Sequence, residues 1–273
     1  PGGAAQGGAL QAAIDAELEA INASMSTWLE DSESSRVNRL PTGQGMVVSP
    51  RFAEVLEAAL AIGAASGGAY DVTVAPLVDL WGFGPEGPRD GIPTPVARAE
   101  ARDRVGQDKL AWDPDSRRLD KRAALAIDFS SIAKGYAVDR VAGILEAEGR
   151  ADYLVEIGGE MRVAGQSPRG DAWRVAVERP QAGTRAVARG IELRDRAVAT
   201  SGDYRNFFTV DGERYSHMID PRSGAPVTHD LVSVTVIHES CMVADGWATA
   251  LAVLGREAAL EVAAEAGLAV YLL

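Results

Sequence analysis

The order of apolar patterns along the chain predicts an α+β fold with a mainly antiparallel sheet. Three observations carry that expectation. After residue 109, strand-like stretches follow one another closely, with helical stretches interspersed among them. Asp211-Gly212, set between two short apolar segments, is a strong hairpin signal. The chain has 273 residues, 47% hydrophobic and 24% charged, the balance of an ordinary globular protein. That length buries a large core without disulfides or a structural metal. The single cysteine, Cys241, excludes an intramolecular disulfide.

Local signals place the elements in order. Pro1 to Gly8 reads as a flexible lead-in. Leu10, Ile14, Leu18, Ile21, Met25 and Leu29 recur at helical spacing and predict one amphipathic helix. Residues 41–45 read as a loop. Ser49 before Pro50 is an N-cap with Pro at the first helical position, opening a helix to about Ala65. The Gly-, Pro- and aromatic-rich stretch from Ser66 to Pro85 is too irregular for one element, and a short helix follows over Arg98–Val105. From Lys109 to Asp128 the pattern reads as strand, turn, strand and a buried strand ending at Asp128. Ser131–Glu148 reads as a helix closed by Gly149. Strands follow over Asp152–Val163 (broken at Gly158-Gly159), Trp173–Glu178, Val187–Leu193 and Ala197–Thr200. The Phe207–His217 hairpin and a Leu231–Ile237 strand come next. Ser240 caps a helix to about Leu254, Glu257–Ala266 is another helix, and the closing AGLAVYLL is a last strand.

Charge narrows the function. Lys and Arg number 27 against 39 Asp and Glu, a net −12 that repels phosphate backbones and argues against a nucleic-acid partner. No apolar run reaches the roughly 20 residues of a membrane span. Lys is rare, at positions 109, 121 and 134 only.

Five clusters could carry chemistry. In DFSSIAKGYAVDR, Asp128 ends a strand, a helix opens within a few residues, and Lys134 sits in its first turn. That is either a phosphate-binding helix start or a capped helix with an exposed Lys. The Gly pair in VEIGGEMRVAG reads as a close backbone approach or a tight turn. His217, near Asp220 and Arg222, is a candidate proton-transfer group or a surface His at a strand end. Asp245 and Thr249, four apart on one helix face, suit a hard cation such as Mg²⁺, or else an ordinary helix start and a Thr bonding back along its helix. Tyr70, Trp81 and Phe83, with Trp28 earlier, could stack a flat ring or pack a core. Ser201-Gly-Asp lacks the nucleophile elbow of a serine hydrolase.

Taken in order, MSTW with DSESSRVN, GAYDVTVAPLVDLWGFGP, DFSSIAKGYAVDR, VEIGGE, TSGDYRN, SHMIDPRSGAP and ADGWATALAVLG resemble the ApbE family, the FAD:protein FMN transferases once called thiamine-biosynthesis lipoproteins. The resemblance covers nearly the whole chain. It implies a single unit over residues 1–273, two α/β lobes with a flavin cleft between them. It implies an enzyme that binds FAD and Mg²⁺, transfers FMN to a Thr or Ser hydroxyl of an acceptor flavoprotein, and releases AMP. Acceptors in the family are membrane redox-complex subunits and related flavoproteins. By that resemblance the Asp245 and Thr249 face holds the metal, with help from the backbone carbonyls of Ser131 and Ala248. Trp28, Ala69, Tyr70, Asp71, Asp128, Lys134 and Ile219 contact the flavin nucleotide. His217 is the base for the acceptor hydroxyl, or a phosphate contact.

The chain departs from the family pattern in places. Trp28 stands where many relatives have a stacking Tyr. The family's strand with a Met-Gly-Thr motif does not precede Pro1, none follows the final YLL, and the anchoring cysteine is not in this sequence. A periplasmic, inner-membrane lipoprotein is therefore expected from the family alone. Two other readings share the residues: an FAD pyrophosphatase, in which water attacks, and a flavin-binding protein without turnover.

Overall fold

The computed structural model describes residues 2–84, 87–89, 91–179, 187–203 and 206–273, the first five of these (2–6) by their backbone only. Pro85 of the GFGP motif and Tyr204 and Arg205 of TSGDYRN lie outside the described residues.

Helix α1 spans Gly2–Met25, so the expected lead-in is helical and the helix stops short of Leu29. Ala, Gln and Leu around the glycines are strong helix formers. Beyond Met25 the Ser26 hydroxyl instead accepts from the Trp28 N–H, a local bond that competes with the helix. Helix α2 (Glu33–Arg39) is capped by Ser32, whose hydroxyl accepts from Ser35 N, and strand β1 follows over Gly45–Val47. Helix α3 (Pro50–Ala65) starts where Ser49 and Pro50 predict, with Ser49 accepting from Phe52 N. The Gly-rich stretch holds one short helix, α4 (Ala75–Leu80). Helix α5 runs over Pro95–Arg102, not Arg98–Val105, because Thr94 caps it from Ala97 N with Pro95 in its first turn.

Strands β2 (Leu110–Asp113) and β3 (Arg118–Lys121) pair as expected, with β1 on the far side of β3. The expected buried strand ending at Asp128 does not form: only one parallel bridge joins Val74 and Ala126. Leu125, Ile127 and Phe129 are buried, hence the strand-like pattern. The backbone groups of Ile127 go instead to a side chain. Asn38 Nδ2 donates to Ile127 O at 2.9 Å, and Ile127 N donates to Asn38 Oδ1 at 2.7 Å. The amide of Asn38 thus replaces one rung of a neighbouring strand.

Helix α6 (Ala133–Ala147) precedes the hairpin β4 (Tyr153–Ile157) and β5 (Glu160–Ala164). Strands β6 (Trp173–Glu178) and β7 (Val187–Leu193) form a two-stranded sheet. Then come β8 (Arg196–Gly202), the hairpin β9 (Phe207–Val210) and β10 (Glu213–Ser216), the short pair β11 (Ile219–Asp220) and β12 (Ala225–Pro226), and β13 (Ser233–His238). Helices α7 (Cys241–Leu254) and α8 (Arg256–Glu265) and strand β14 (Ala269–Leu272) close the chain.

The central sheet is antiparallel, in the order β14-β13-β8-β5-β4. Its two faces separate by the period of two along each strand. On β8, Ala197 and Ala199 pack towards α6 and α7, while Val198 packs with Val163, Val175 and Leu193 under β6 and β7. The main core joins the helix face to α3: Phe52, Leu56, Ile132, Val234, Val236 and Leu251 are all buried in it. Each such side chain contributes roughly 1.5–3 kcal/mol over exposure. The result is a rigid bed on which α6 and α7 lie side by side.

Candidate active site

Gly135 decides how closely α6 and α7 approach. A Cβ there would strike the Cys241 carbonyl oxygen and lie 2.6 Å from its carbon and 2.8 Å from Asp245 Cβ. With only hydrogen in that place, Gly135 N donates to Asp245 Oδ2 at 3.0 Å. The first turn of α6 and the inner face of α7 therefore open onto one cavity of about 420 Å³.

Most of the predicted residues line that cavity: Ala69, Tyr70, Asp71, Asp128, Ser131, Lys134, His217, Ile219, Asp245 and Thr249. Trp28 does not. It is 76% exposed and lines an adjoining cavity of about 320 Å³ that shares Val78, Phe83, Asp128 and Ser130 with the first. Ala248 is fully buried in the main core and lines neither, so its side chain is packing. The aromatic cluster divides. Trp81 is core: its indole donates to Gly224 O at 3.0 Å and stacks on Tyr215 at 5.6 Å. Phe83 lines both cavities, and its ring centroid lies 6.3 Å from that of His217 in an edge-on arrangement.

The electrostatics centre on three groups. Lys134 Nζ lies 2.6 Å from Glu160 Oε1 and 3.7 Å from Asp245 Oδ1. Burial pushes Asp245 up to about 7, although Lys134 draws it down, and burial raises Glu160 as well. Burial pulls the Lys134 ammonium down, but Asp245 and Glu160 outweigh it and hold it above its ordinary value. Two buried carboxylates share one ammonium, and Glu160 Oε2 has no hydrogen-bond partner. The site holds one carboxylate more than it has cations, and because burying that extra charge is costly both acids are held above their ordinary range. Glu160 is a residue that sequence reasoning passed over. Its only signal was an acid directly after Gly158-Gly159.

Around this centre the other groups take fixed orientations. Ser131 Oγ donates to the Tyr70 hydroxyl at 3.0 Å, and burial raises the Tyr70 phenol so that it stays protonated. Ser201 and Thr249 hydroxyls pair at 3.0 Å. Asp128 Oδ1 accepts from Ser130 N at 2.8 Å and Ser130 Oγ at 2.5 Å, which fixes the turn into α6. The Asp71 carboxylate is committed to its own loop: it accepts from Thr73 N, Thr73 Oγ1 and Gln107 N. His217 Nδ1 faces Asn206 O at 3.1 Å. A carbonyl only accepts, so Nδ1 carries the proton and Nε2 keeps a lone pair. Burial lowers the His217 pKa, leaving the ring neutral at pH 7.

The Asp245 carboxylate and the Thr249 hydroxyl, both lining the cavity, are oxygen groups of the kind a hard divalent cation takes. Among the described residues no group of three His, Cys, Asp or Glu side chains converges as a metal cage.

A helix-flanked antiparallel sheet of this kind matches solved flavin transferases. The flavin transferase ApbE of Vibrio cholerae superposes with a TM-score of 0.89 at 44% identity, covering 97% of this chain and 84% of that one. The apo form of the Pseudomonas stutzeri flavinyl transferase ApbE gives 0.88 at 43%, covering 97% and 82%. The ApbE family pattern matches residues 3–272, and the chain belongs to the ApbE family. Curated relatives from Vibrio cholerae and Haemophilus influenzae are each 45% identical, over 96% and 95% of this chain and 78% and 77% of theirs. Both are named FAD:protein FMN transferase.

Proposed function

We propose that this chain is a Mg²⁺-dependent FAD:protein FMN transferase acting as one unit over residues 1–273, with the flavin held between two lobes. The observation that carries this reading is the meeting of the unbalanced Asp245 carboxylate, Thr249, Lys134 and a neutral His217 in one cavity that adjoins the Trp28 cavity. Asp245, Thr249 and the Ser131 carbonyl would hold Mg²⁺, which supplies charge neutralisation at the pyrophosphate. Lys134 adds a cation on the phosphate side. Phe83 and the exposed Trp28 ring give the isoalloxazine apolar faces to lie on.

His217 Nε2 takes the proton of the acceptor Thr or Ser hydroxyl as its oxygen bonds to the FMN phosphorus. The bond from that phosphorus to the bridging oxygen breaks, and AMP leaves with that oxygen. The acceptor is a flavoprotein such as a subunit of a membrane redox complex, and the protein works in the periplasm as an inner-membrane lipoprotein. Among the described residues no helix is long and apolar enough to cross a membrane.

Intact-mass spectrometry of a candidate acceptor domain, incubated with this protein, FAD and Mg²⁺, tests the reading. The acceptor gains one FMN, AMP appears in equal amount, and EDTA abolishes both. AMP release from FAD without acceptor modification would replace the transferase with a pyrophosphatase. No AMP at all would leave a flavin-binding protein.

A further inference from the structure

The catalytic cavity contains one buried acid with no assigned role. Glu160 opens β5, is 3% exposed, and lines the same cavity as Asp245. One of its oxygens, Oε1, takes the Lys134 ammonium at 2.6 Å, while Oε2 has no partner. A charge-assisted contact that short is a firm one. The same ammonium stands 3.7 Å from Asp245 Oδ1, beyond hydrogen-bond distance but well within Coulomb range.

The hairpin turn is shaped around this pairing. Gly158 has φ +65°, and a Cβ there would meet Lys134 Cδ at 3.2 Å and Glu160 Oε2 at 3.4 Å. Glycine thus leaves a channel for the lysine stem across the hairpin. Without Glu160, the nearest carboxylate to the lysine is Asp245. The ammonium would then settle on the oxygen that a divalent cation needs, and its charge would oppose that cation.

We propose that Glu160 is a positioning residue that holds the Lys134 ammonium off Asp245 and cancels its charge, so that Asp245 stays open to a divalent cation. This rests on the reading of Asp245 and Thr249 as metal donors. Lys134 and Glu160 then act on the cation in opposite directions. The lysine competes with it, and the glutamate removes the competitor.

Mn²⁺, an oxygen-seeking probe of such sites, is titrated by electron paramagnetic resonance into the full chain without FAD. Glu160→Gln keeps the side-chain shape but loses the charge, and weakens Mn²⁺ binding by about tenfold or more, given a unit charge a few ångströms from a divalent ion. Lys134→Met tightens it. The double variant restores the original charge balance and returns to within about threefold of the parent affinity, because the two removed charges offset each other. A general loss of packing would not produce opposite shifts followed by recovery, and thermal melts check that each variant is folded. An unmoved or tightened Glu160→Gln variant overturns the proposal, as does a double variant as weak as Glu160→Gln alone. Asp245→Asn separates the two levels. If Mn²⁺ binding survives it, the metal reading itself falls and takes the proposal with it. If binding is lost there while Glu160→Gln is unmoved, only the proposal falls.

Discussion

Replacing Gly135 with Ala tests the close approach on which the cavity depends. The new methyl would meet the Cys241 carbonyl oxygen and carbon (the latter at 2.6 Å) and Asp245 Cβ at 2.8 Å. Two of these three atoms are backbone and cannot swing aside, so α6 must move away from α7. Overpacking of this kind costs about 1–3 kcal/mol. The shift also strains the bond from Gly135 N to the Asp245 carboxylate, worth roughly 1.5–3 kcal/mol as a bond to a charged group. Alanine returns about 1 kcal/mol through helix propensity. The net loss is about 3 kcal/mol, or roughly 5–10 °C in melting temperature for a chain of this size. Gly143 on the same helix has nothing within 4 Å of its would-be Cβ. Gly143→Ala should therefore leave the protein unchanged or gain up to about 1 kcal/mol. Calorimetric melts of both variants, with Mg²⁺ titration of Gly135→Ala, provide the assay. If Gly135→Ala melts within about 1 °C of the parent and binds Mg²⁺ equally, overpacking is the wrong account of this contact.

Three further predictions concern single side chains. His217→Ala should lower FMN transfer by about 10²–10⁴-fold with little change in FAD affinity, measured by acceptor mass and flavin fluorescence. Because burial lowers the His217 pKa, its base form persists through neutral pH. At saturating Mg²⁺, which favours the ionised form of Asp245, transfer should stay flat there and fall only below the ordinary histidine value of about 6.5, and a fall beginning above pH 7 under that condition would contradict this. Trp28→Ala removes a 76% exposed ring, so stability should stay within about 0.5 kcal/mol. Flavin binding should weaken by about 2–13-fold if the ring stacks on the isoalloxazine. Asn38→Ala strips both partners from the Ile127 backbone and should cost about 1–3 kcal/mol per orphaned group. It should also raise KM for FAD more than it lowers kcat, since Ile127 precedes Asp128 at the junction of the two cavities.

What the sequence disclosed depended on how far apart the interacting residues lie. The start of α3 was legible because Ser49 and Pro50 act within one turn. The start of α5 carried the same signal in Thr94 and Pro95, and reading the helix from Arg98 overlooked it. The β9–β10 hairpin followed from Asp211-Gly212, with Asp211 in the left-handed region at φ 52°. The missing strand before Asp128 was not legible. Its apolar alternation is real, yet Ile127's backbone is claimed by Asn38, 89 residues earlier, and only Ala126 and Asp128 beside it reach the Val72–Val74 backbone.

The site follows the same rule, and its residue types and positions were legible for a particular reason. Asp245 and Thr249 share a helix face, and Asp128, Ser131 and Lys134 share one turn, so each group keeps its own geometry wherever the fold places it. The coupling between these groups was hidden, because it is set by the approach of α6 to α7 across 110 residues of sequence. Glu160 shows the difference most clearly. Locally it is an acid after a glycine turn, and nothing within β5 itself calls for burial of a charge. Only when α6 brings Lys134 across Gly158 does that acid gain a partner, and only when α7 brings Asp245 to the same ammonium does a surplus negative charge arise. The cation-binding character proposed for the cavity would therefore be a property of three elements meeting. It should respond to changes at Gly135 and Glu160 and not only to changes in the donors themselves.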